Sequence, residues 1–184
     1  MRPETQWGAR PAAMCLLGVL ILGATACEPI AELEPAATTE AYTVAYVIDG
    51  DTIEVTTPEG EAERVRLLGI NTPEVGRDGE AGQCGGEAAA EQLEKLLPEG
   101  TAVQLVSDGR ADNEDRYGRL LRYVETEDGT DAGALLLTEG YAYAWVPASE
   151  PAPERMDDYE TATAAARAAS AGAWADCPDL GQSR

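Results

Sequence analysis

The sequence predicts a mainly β, α+β domain: a closed five-stranded barrel with about three helices attached. Three observations point there. Five short strand-like segments follow one another, rich in Val, Ile, Thr and Tyr and punctuated by Gly, Pro and Asp. One amphipathic helical segment interrupts them after the third, and the other helical segments follow the fifth. The 184 residues leave room for one sizeable domain.

Each element follows from its own residues. "YTVAYVIDG" (42–50) and "DTIEVTT" (51–57) read as strands, and "PEGE" (58–61) is a turn into "AERVRLLGI" (62–70). In that third strand Val65, Leu67 and Ile70 are flanked by Arg64 and Arg66, the mark of a half-buried strand. The stretch 74–86, "EVGRDGEAGQCGG", is glycine-rich without period and reads as a loop. "EAAAEQLEKLL" (87–97) puts Ala89, Leu93, Leu96 and Leu97 on one helical face, with Glu91 and Lys95 spaced for an ion pair; Pro98 and Gly100 stop it. "TAVQLVS" (101–107) is the fourth strand, "DGRADNEDRYG" (108–118) a polar loop, and "RLLRYVETEDG" (119–129) the fifth strand with its turn. Asp131 caps a short helix that runs to Glu139 and is closed by Gly140. "YAYAWV" (141–146) is extended or irregular; an alanine-rich helix spans 155–171, with Trp174 pinning its end. Strands and helices in this order are those of an OB-type barrel.

The N-terminus stands apart. Arg2 and Arg10 precede the apolar run "AAMCLLGVLILG" (12–23), too short to span a bilayer, and "ATAC" (24–27) follows. This is the layout of a signal peptide over 1–26 and implies export. The cut falls before Cys27, which also occupies the place of the lipidated cysteine in a bacterial lipoprotein box, although that box usually has leucine where Ala24 stands. Residues 27–41 read as a flexible acidic tether, 42–177 as the folded domain and 178–184 as a tail. Of the four cysteines, Cys15 leaves with the signal and Cys27 is accounted for by the anchor. Cys84 and Cys177 remain, and in an exported protein such a pair suggests a disulfide; the alternative is two buried free thiols.

Composition excludes several chemistries. There is no histidine and no Cys-x-x-Cys, so zinc sites of the usual kind and histidine triads are ruled out. The chain carries a formal charge of −21; loss of Arg2, Arg10 and Glu4 with the signal leaves 11 basic and 33 acidic residues. Such a surface suits high salt or simple solubility and repels phosphate chains. It does not explain where the arginines sit.

Three segments place polar residues where a plain strand would not. They are "DGD" (49–51), "RLLGINTPE" (66–74) and "DRYGR" (115–119). Singly, each has an ordinary explanation as a turn or a solvated strand edge. Together they supply oxygen donors for a hard cation, two guanidinium groups and a spare carboxylate. Calcium takes such oxygens, arginine forks match phosphate, and a free glutamate can accept a proton from water.

On these residues the chain resembles the staphylococcal (micrococcal) nuclease, or thermonuclease, family over roughly 42–177. The motifs occur in the family's order: "VIDGDTIEV", "RLLGINTPE", "GGEAAAEQL", "DRYGR", "LLTEGYA" and "AGAW". The resemblance implies Asp51 as the principal calcium carboxylate, Asp49 near the metal shell, Asn71 where the family has a second ligand aspartate, and Thr72 offering its carbonyl. It implies Glu74 as the base toward water, Arg66 and Arg119 as phosphate binders, and Tyr117 as a wall of the nucleotide pocket, with Tyr143 or Trp145 as a second stacking surface. The implied reaction is Ca²⁺-dependent hydrolysis of DNA and RNA by a monomer, leaving 3′-phosphates. Asn71 removes one ligand charge, which weakens calcium or lets Mg²⁺ or Mn²⁺ compete. The rival reading is a catalytically weak or inactive barrel that binds nucleic acid at the cell surface.

Overall fold

The strand-like segments close into a barrel because each alternates apolar and polar residues, and only a closed sheet hides one face of all of them. The computed structural model describes residues 41–77 and 79–180. The expected signal peptide, Cys27, the tether up to residue 40 and the last four residues lie outside the described residues.

Strands β1 (Tyr42–Asp49), β2 (Thr52–Thr56) and β3 (Ala62–Leu67) form a meander, followed by a two-residue strand β4 (Ile70–Asn71). Helix α1 (Gly86–Leu96) leads to β5 (Ala102–Val106) and β6 (Leu120–Thr126). Helix α2 (Ala132–Thr138), strand β7 (Tyr143–Ala144), helix α3 (Met156–Ala168) and a 3-10 turn (Gly172–Ala175) complete the domain. The barrel runs β1-β2-β3-β6-β5 and closes where Tyr42 and Thr43 of β1 pair with Val103 and Ala102 of β5. Its one parallel seam joins β3 to β6 through Val65–Leu120, Arg66–Leu121 and Leu67–Arg122. Two register shifts in β1, at Val44/Tyr46 and Val47/Asp49, curl that strand around the barrel.

Alternation sets the core. Ile53 and Val55 of β2 are fully buried and Glu54 between them points outward, where it accepts from Tyr46 Oη and faces Arg64. Val44, Val65, Leu67 and Val124 join them; Leu93 of α1, Leu97 at its C-cap, and Leu136 and Leu137 of α2 cover the barrel. Val47 is only half-buried, because the second shift turns it partly away from the interior.

The expected single strand over 62–70 is two. The chain turns at Gly69, with φ +79°, and a Cβ there would sit 3.2 Å from the Tyr159 ring. Past that corner Ile70 and Asn71 pair with Ala144 and Tyr143, which gives the irregular 141–146 segment its strand. Helix α2 begins as expected, with the Asp131 carboxylate accepting from the Ala134 N–H. Asp131 also receives Arg155 and Tyr159 Oη, docking α3 onto α2.

Cys84 and Cys177 form a disulfide. Packing continues past Cys177 to Leu180, which is buried with Trp174 and Ala173 in a second small cluster. The bridge closes a loop of 93 residues, worth about 4 kcal/mol in the chain-entropy model. We expect reduction to lower the melting temperature by about 10 °C, read by circular dichroism with and without dithiothreitol; an unchanged midpoint would deny the bridge a stabilising role.

Candidate active site

The site begins at the β1–β2 turn. Asp49 ends β1 and Thr52 starts β2, so "DGD" is a tight hairpin connection that holds both carboxylates at the barrel's mouth. Asp49 and Asp51 are 8% and 6% exposed. Gly50 is required by space: a Cβ there would lie 2.7 Å from Thr72 Oγ1 and 2.8 Å from Ala89 Cβ. Its absence lets α1 and the 70–74 segment close on the turn. Asp51 is heavily bonded, accepting from the Thr72 N–H (3.1 Å), Thr52 Oγ1 (2.9 Å) and Arg66 Nη2 (2.9 Å). Asp49 accepts from the Gly50 N–H and lies 3.5 Å from Arg77 Nη2.

Arg66 projects from the end of β3 and is almost wholly buried. Its Nη1 donates to the carbonyls of Leu67 (2.7 Å) and Ile70 (2.9 Å), and its Nη2 to Asn71 Oδ1 (2.7 Å) and Asp51. Four of the five guanidinium N–H groups are thus engaged within the protein. Asn71 in turn donates its amide to the Thr72 carbonyl (3.1 Å) and to Tyr143 Oη (2.6 Å). Because Arg66 can only donate and the Thr72 carbonyl only accept, the amide orientation follows from the network.

Arg119 approaches from the other side. Asp115 accepts its Nε (2.7 Å) and Nη2 (2.6 Å), while its Nη1 lies 3.4 Å from Thr52 Oγ1. Asp115 also accepts the N–H groups of Tyr117 (2.8 Å) and Arg119 (3.1 Å), so a single carboxylate shapes the whole "DRYGR" turn. Tyr117 is 67% exposed, with the guanidinium groups of Arg116 and Arg119 at 4.7 and 5.4 Å from its ring centre.

These groups line one cleft of about 520 Å³: Asp49, Asp51, Arg66, Asn71, Glu74, Tyr117, Arg119 and Trp145 all face it. Glu74 is exposed at its rim, yet partial desolvation, then the charges of Asp49 and Asp51 and a hydrogen bond with Asp49, hold its carboxyl above the usual carboxylate range. Of the two candidate stacking residues, Trp145 is 41% exposed and borders the cleft, whereas Tyr143 is buried and spends its hydroxyl on Asn71. Tyr143 is therefore a support.

The donor set fits a hard divalent cation. Among the described residues no three Asp, Glu, His or Cys side chains cluster as a metal cage. The oxygens nearest the β1–β2 turn are instead two carboxylates, with the Asn71 amide oxygen and the Thr72 carbonyl tied to Asp51 in one hydrogen-bond network, a mixture calcium accepts. Asn71 Oδ1 and the Thr72 carbonyl each hold one hydrogen bond here and keep a second lone pair for an ion.

Thr52 and Asp115 escaped the sequence reading although they bond to Asp51 and Arg119, and Tyr143, expected as a possible stacking surface, instead supports Asn71. Asp115 carried a signal, an Asp two and four residues before N–H groups it could bind. Nothing local marked Tyr143, which meets Asn71 only through the β4–β7 ribbon.

Comparison with known proteins agrees with this geometry. The family described as "Staphylococcal nuclease homologue" matches residues 64–176. The chain is 39% identical over 119 residues to the SPbeta prophage-derived endonuclease YokF of Bacillus subtilis (strain 168), covering 64% of this chain and 38% of that protein. It is 37% identical over 122 residues to Endonuclease YncB of the same organism, covering 64% and 56%. It is 42% identical over 85 residues to Thermonuclease of Staphylococcus intermedius, covering 46% and 48%. The chain thus spans about half, or less, of the length of these relatives. With more than half of its residues matched by the family and the motif residues gathered in one cleft, the chain belongs to the staphylococcal nuclease homologue family.

Proposed function

We propose that the protein is an exported, calcium-dependent nuclease that hydrolyses DNA and RNA without sequence preference and leaves 3′-phosphates. The observation that carries this is the convergence of Asp51, Arg66, Glu74 and Arg119 on one cleft. Three relatives carry "endonuclease" or "thermonuclease" as their names, and this proposal brings that activity to the present chain.

A bound cation, held by Asp51 with Asp49, Asn71 Oδ1 and the Thr72 carbonyl, would neutralise phosphate charge and polarise the phosphoryl oxygens. Glu74, free of hydrogen bonds from either arginine, takes a proton from the attacking water. Arg119, pinned by Asp115, offers its cleft-facing edge to the oxygens on which charge develops. Arg66 acts first as the partner of Asp51 and keeps its Nε–H for the phosphate. Water adds in line as the 5′ oxygen departs. Trp145 and Tyr117 stack on bases, a contact every base can make. Export, and anchoring through a lipid at Cys27, form part of the same proposal.

A second reading has one observation in its favour. Because Arg66 is almost saturated internally and Asn71 replaces a charged ligand, the cleft could bind nucleic acid while cleaving slowly. Digestion of plasmid DNA and of RNA by purified residues 28–184, with calcium and then with chelator, separates the two. We expect cleavage that chelator abolishes, and a loss of roughly 10²- to 10³-fold in Glu74→Gln with binding retained. Equal rates for Glu74→Gln and the parent protein would remove Glu74 from the chemistry.

Asn71→Asp adds a negative ligand and still accepts from Arg66, so calcium affinity by titration calorimetry should rise several-fold; an unchanged constant would argue that residue 71 does not touch the ion. Ionic strength gives a further check. Screening falls from about 30 Å to about 8 Å between 0.01 and 0.15 M salt, which hides the acidic surface from substrate. We expect activity to hold or rise over that range, and a steep fall from the lowest salt would contradict the charge argument.

A further inference from the structure

We propose that Gln83 is a positioning residue for Glu74, and that the Cys84–Cys177 disulfide, acting through it, ties the placement of the Glu74 carboxylate to the oxidation state of the protein. This rests on Glu74 serving as the base, as proposed above. Gln83 grips the main chain of Glu74 on both sides: its N–H donates to the Glu74 carbonyl (2.9 Å), and its side-chain Oε1 accepts the Glu74 N–H (3.1 Å). At Gly76 and Gly82 of the loop between them, and at Gly86 just beyond, the chain comes too close for a side chain. A Cβ at Gly86 would lie 2.4 Å from the Glu74 carbonyl, and one at Gly82 would lie 2.6 Å from the Gly76 nitrogen.

The neighbour of Gln83 is Cys84, joined to Cys177. Cys177 is buried with Trp174 and Leu180 in the small C-terminal cluster. Gly85, at φ +90°, then packs with its Cα face 3.0 Å from Leu180 and 3.1 Å from Ala173, measured at the Cβ it lacks. The base is thus referred, through one side-chain amide and one covalent bond, to a cluster outside the barrel.

Cys84 is exposed, so a dithiol can reach it. A thiolate of the reductant attacks Cys84 Sγ, and the S–S bond breaks with its electron pair leaving on Cys177 Sγ, which takes a proton. The second thiol of the reductant then displaces Cys84 Sγ, which is protonated in turn. Two electrons pass, giving two cysteine thiols and one cyclic disulfide of the reductant. Residues 82–85 then lose their covalent anchor and Gln83 its fixed distance from Glu74.

The test compares the parent protein, Gln83→Met (equal in length, without the acceptor), Glu74→Gln and the double variant, each oxidised and dithiothreitol-reduced, below the melting temperature of the reduced form. Calcium-induced thermal shifts are measured on the same samples. We expect Gln83→Met and reduction each to lower kcat roughly tenfold with KM and the calcium shift within twofold, since a misplaced base slows chemistry without weakening binding. In the Glu74→Gln background neither change should lower kcat further. An unchanged kcat in Gln83→Met, or losses that add in full to that of Glu74→Gln, would overturn the positioning role while leaving Glu74 as the base. Parent-like activity in Glu74→Gln itself would overturn both.

Discussion

The buried pair of Arg66 and Asp51 is the contact on which the site is built. Neither charge could stay in the barrel's mouth alone, since removing one partner of such a pair typically costs about 3–5 kcal/mol. Together they also close the corner at which β3 becomes β4, because Arg66 binds the carbonyls of Leu67 and Ile70 on either side of Gly69. Asp51 and the turn that delivers Asn71 and Thr72 are therefore one structural unit. Backbone groups that the corner leaves without sheet partners are satisfied by the arginine, as buried polar groups must be.

That economy shapes how the cleft handles charge. Partial desolvation, and then the neighbouring charges of Asp49 and Asp51, hold the Glu74 carboxyl above the usual carboxylate range. Arg66, Arg77 and Arg119 stand around them, each in contact with a carboxylate. The excess acidity of the chain lies elsewhere, for example at Glu87, Glu91 and Glu94 of α1 and Asp157, Asp158 and Glu160 of α3, all solvent-exposed. An acidic protein can thus keep a cleft in which arginines and carboxylates balance locally.

Elements far from the chemistry decide where the second arginine stands. The loop carrying Asp115, Tyr117 and Arg119 passes, two residues after β5, through Asp108, whose carboxylate accepts Tyr123 Oη (2.5 Å) and the N–H of Glu154 (2.6 Å) just before α3. Burial alone would raise this carboxyl; the hydrogen bonds from Tyr123, Glu154 and Arg110 bring it below the usual range. Arg155 lies over the Tyr123 ring and pairs with Glu125 and Asp131. The C-terminal helix is in this way locked to the strand that begins one residue after Arg119.

The sequence by itself determined the barrel class and the three helices, because strand alternation and helix caps are local properties of the chain; it suggested the Cys84–Cys177 pair, and short motifs in the family's order singled out Asp51, Arg66, Glu74 and Arg119. Tertiary structure decided what depends on approach between distant segments. It broke the 62–70 strand at Gly69 because Tyr159 packs there, made Gly50 a matter of space against Thr72 and Ala89, and assigned Tyr143 to Asn71 and Trp145 to the cleft. Tyr143 and Trp145 differ by two residues, and only the pairing of β7 with β4 makes one of them a buried acceptor for Asn71 and the other a cleft wall. A hydrogen bond across 72 residues leaves no periodic trace in either segment, since it is fixed by register and not by composition.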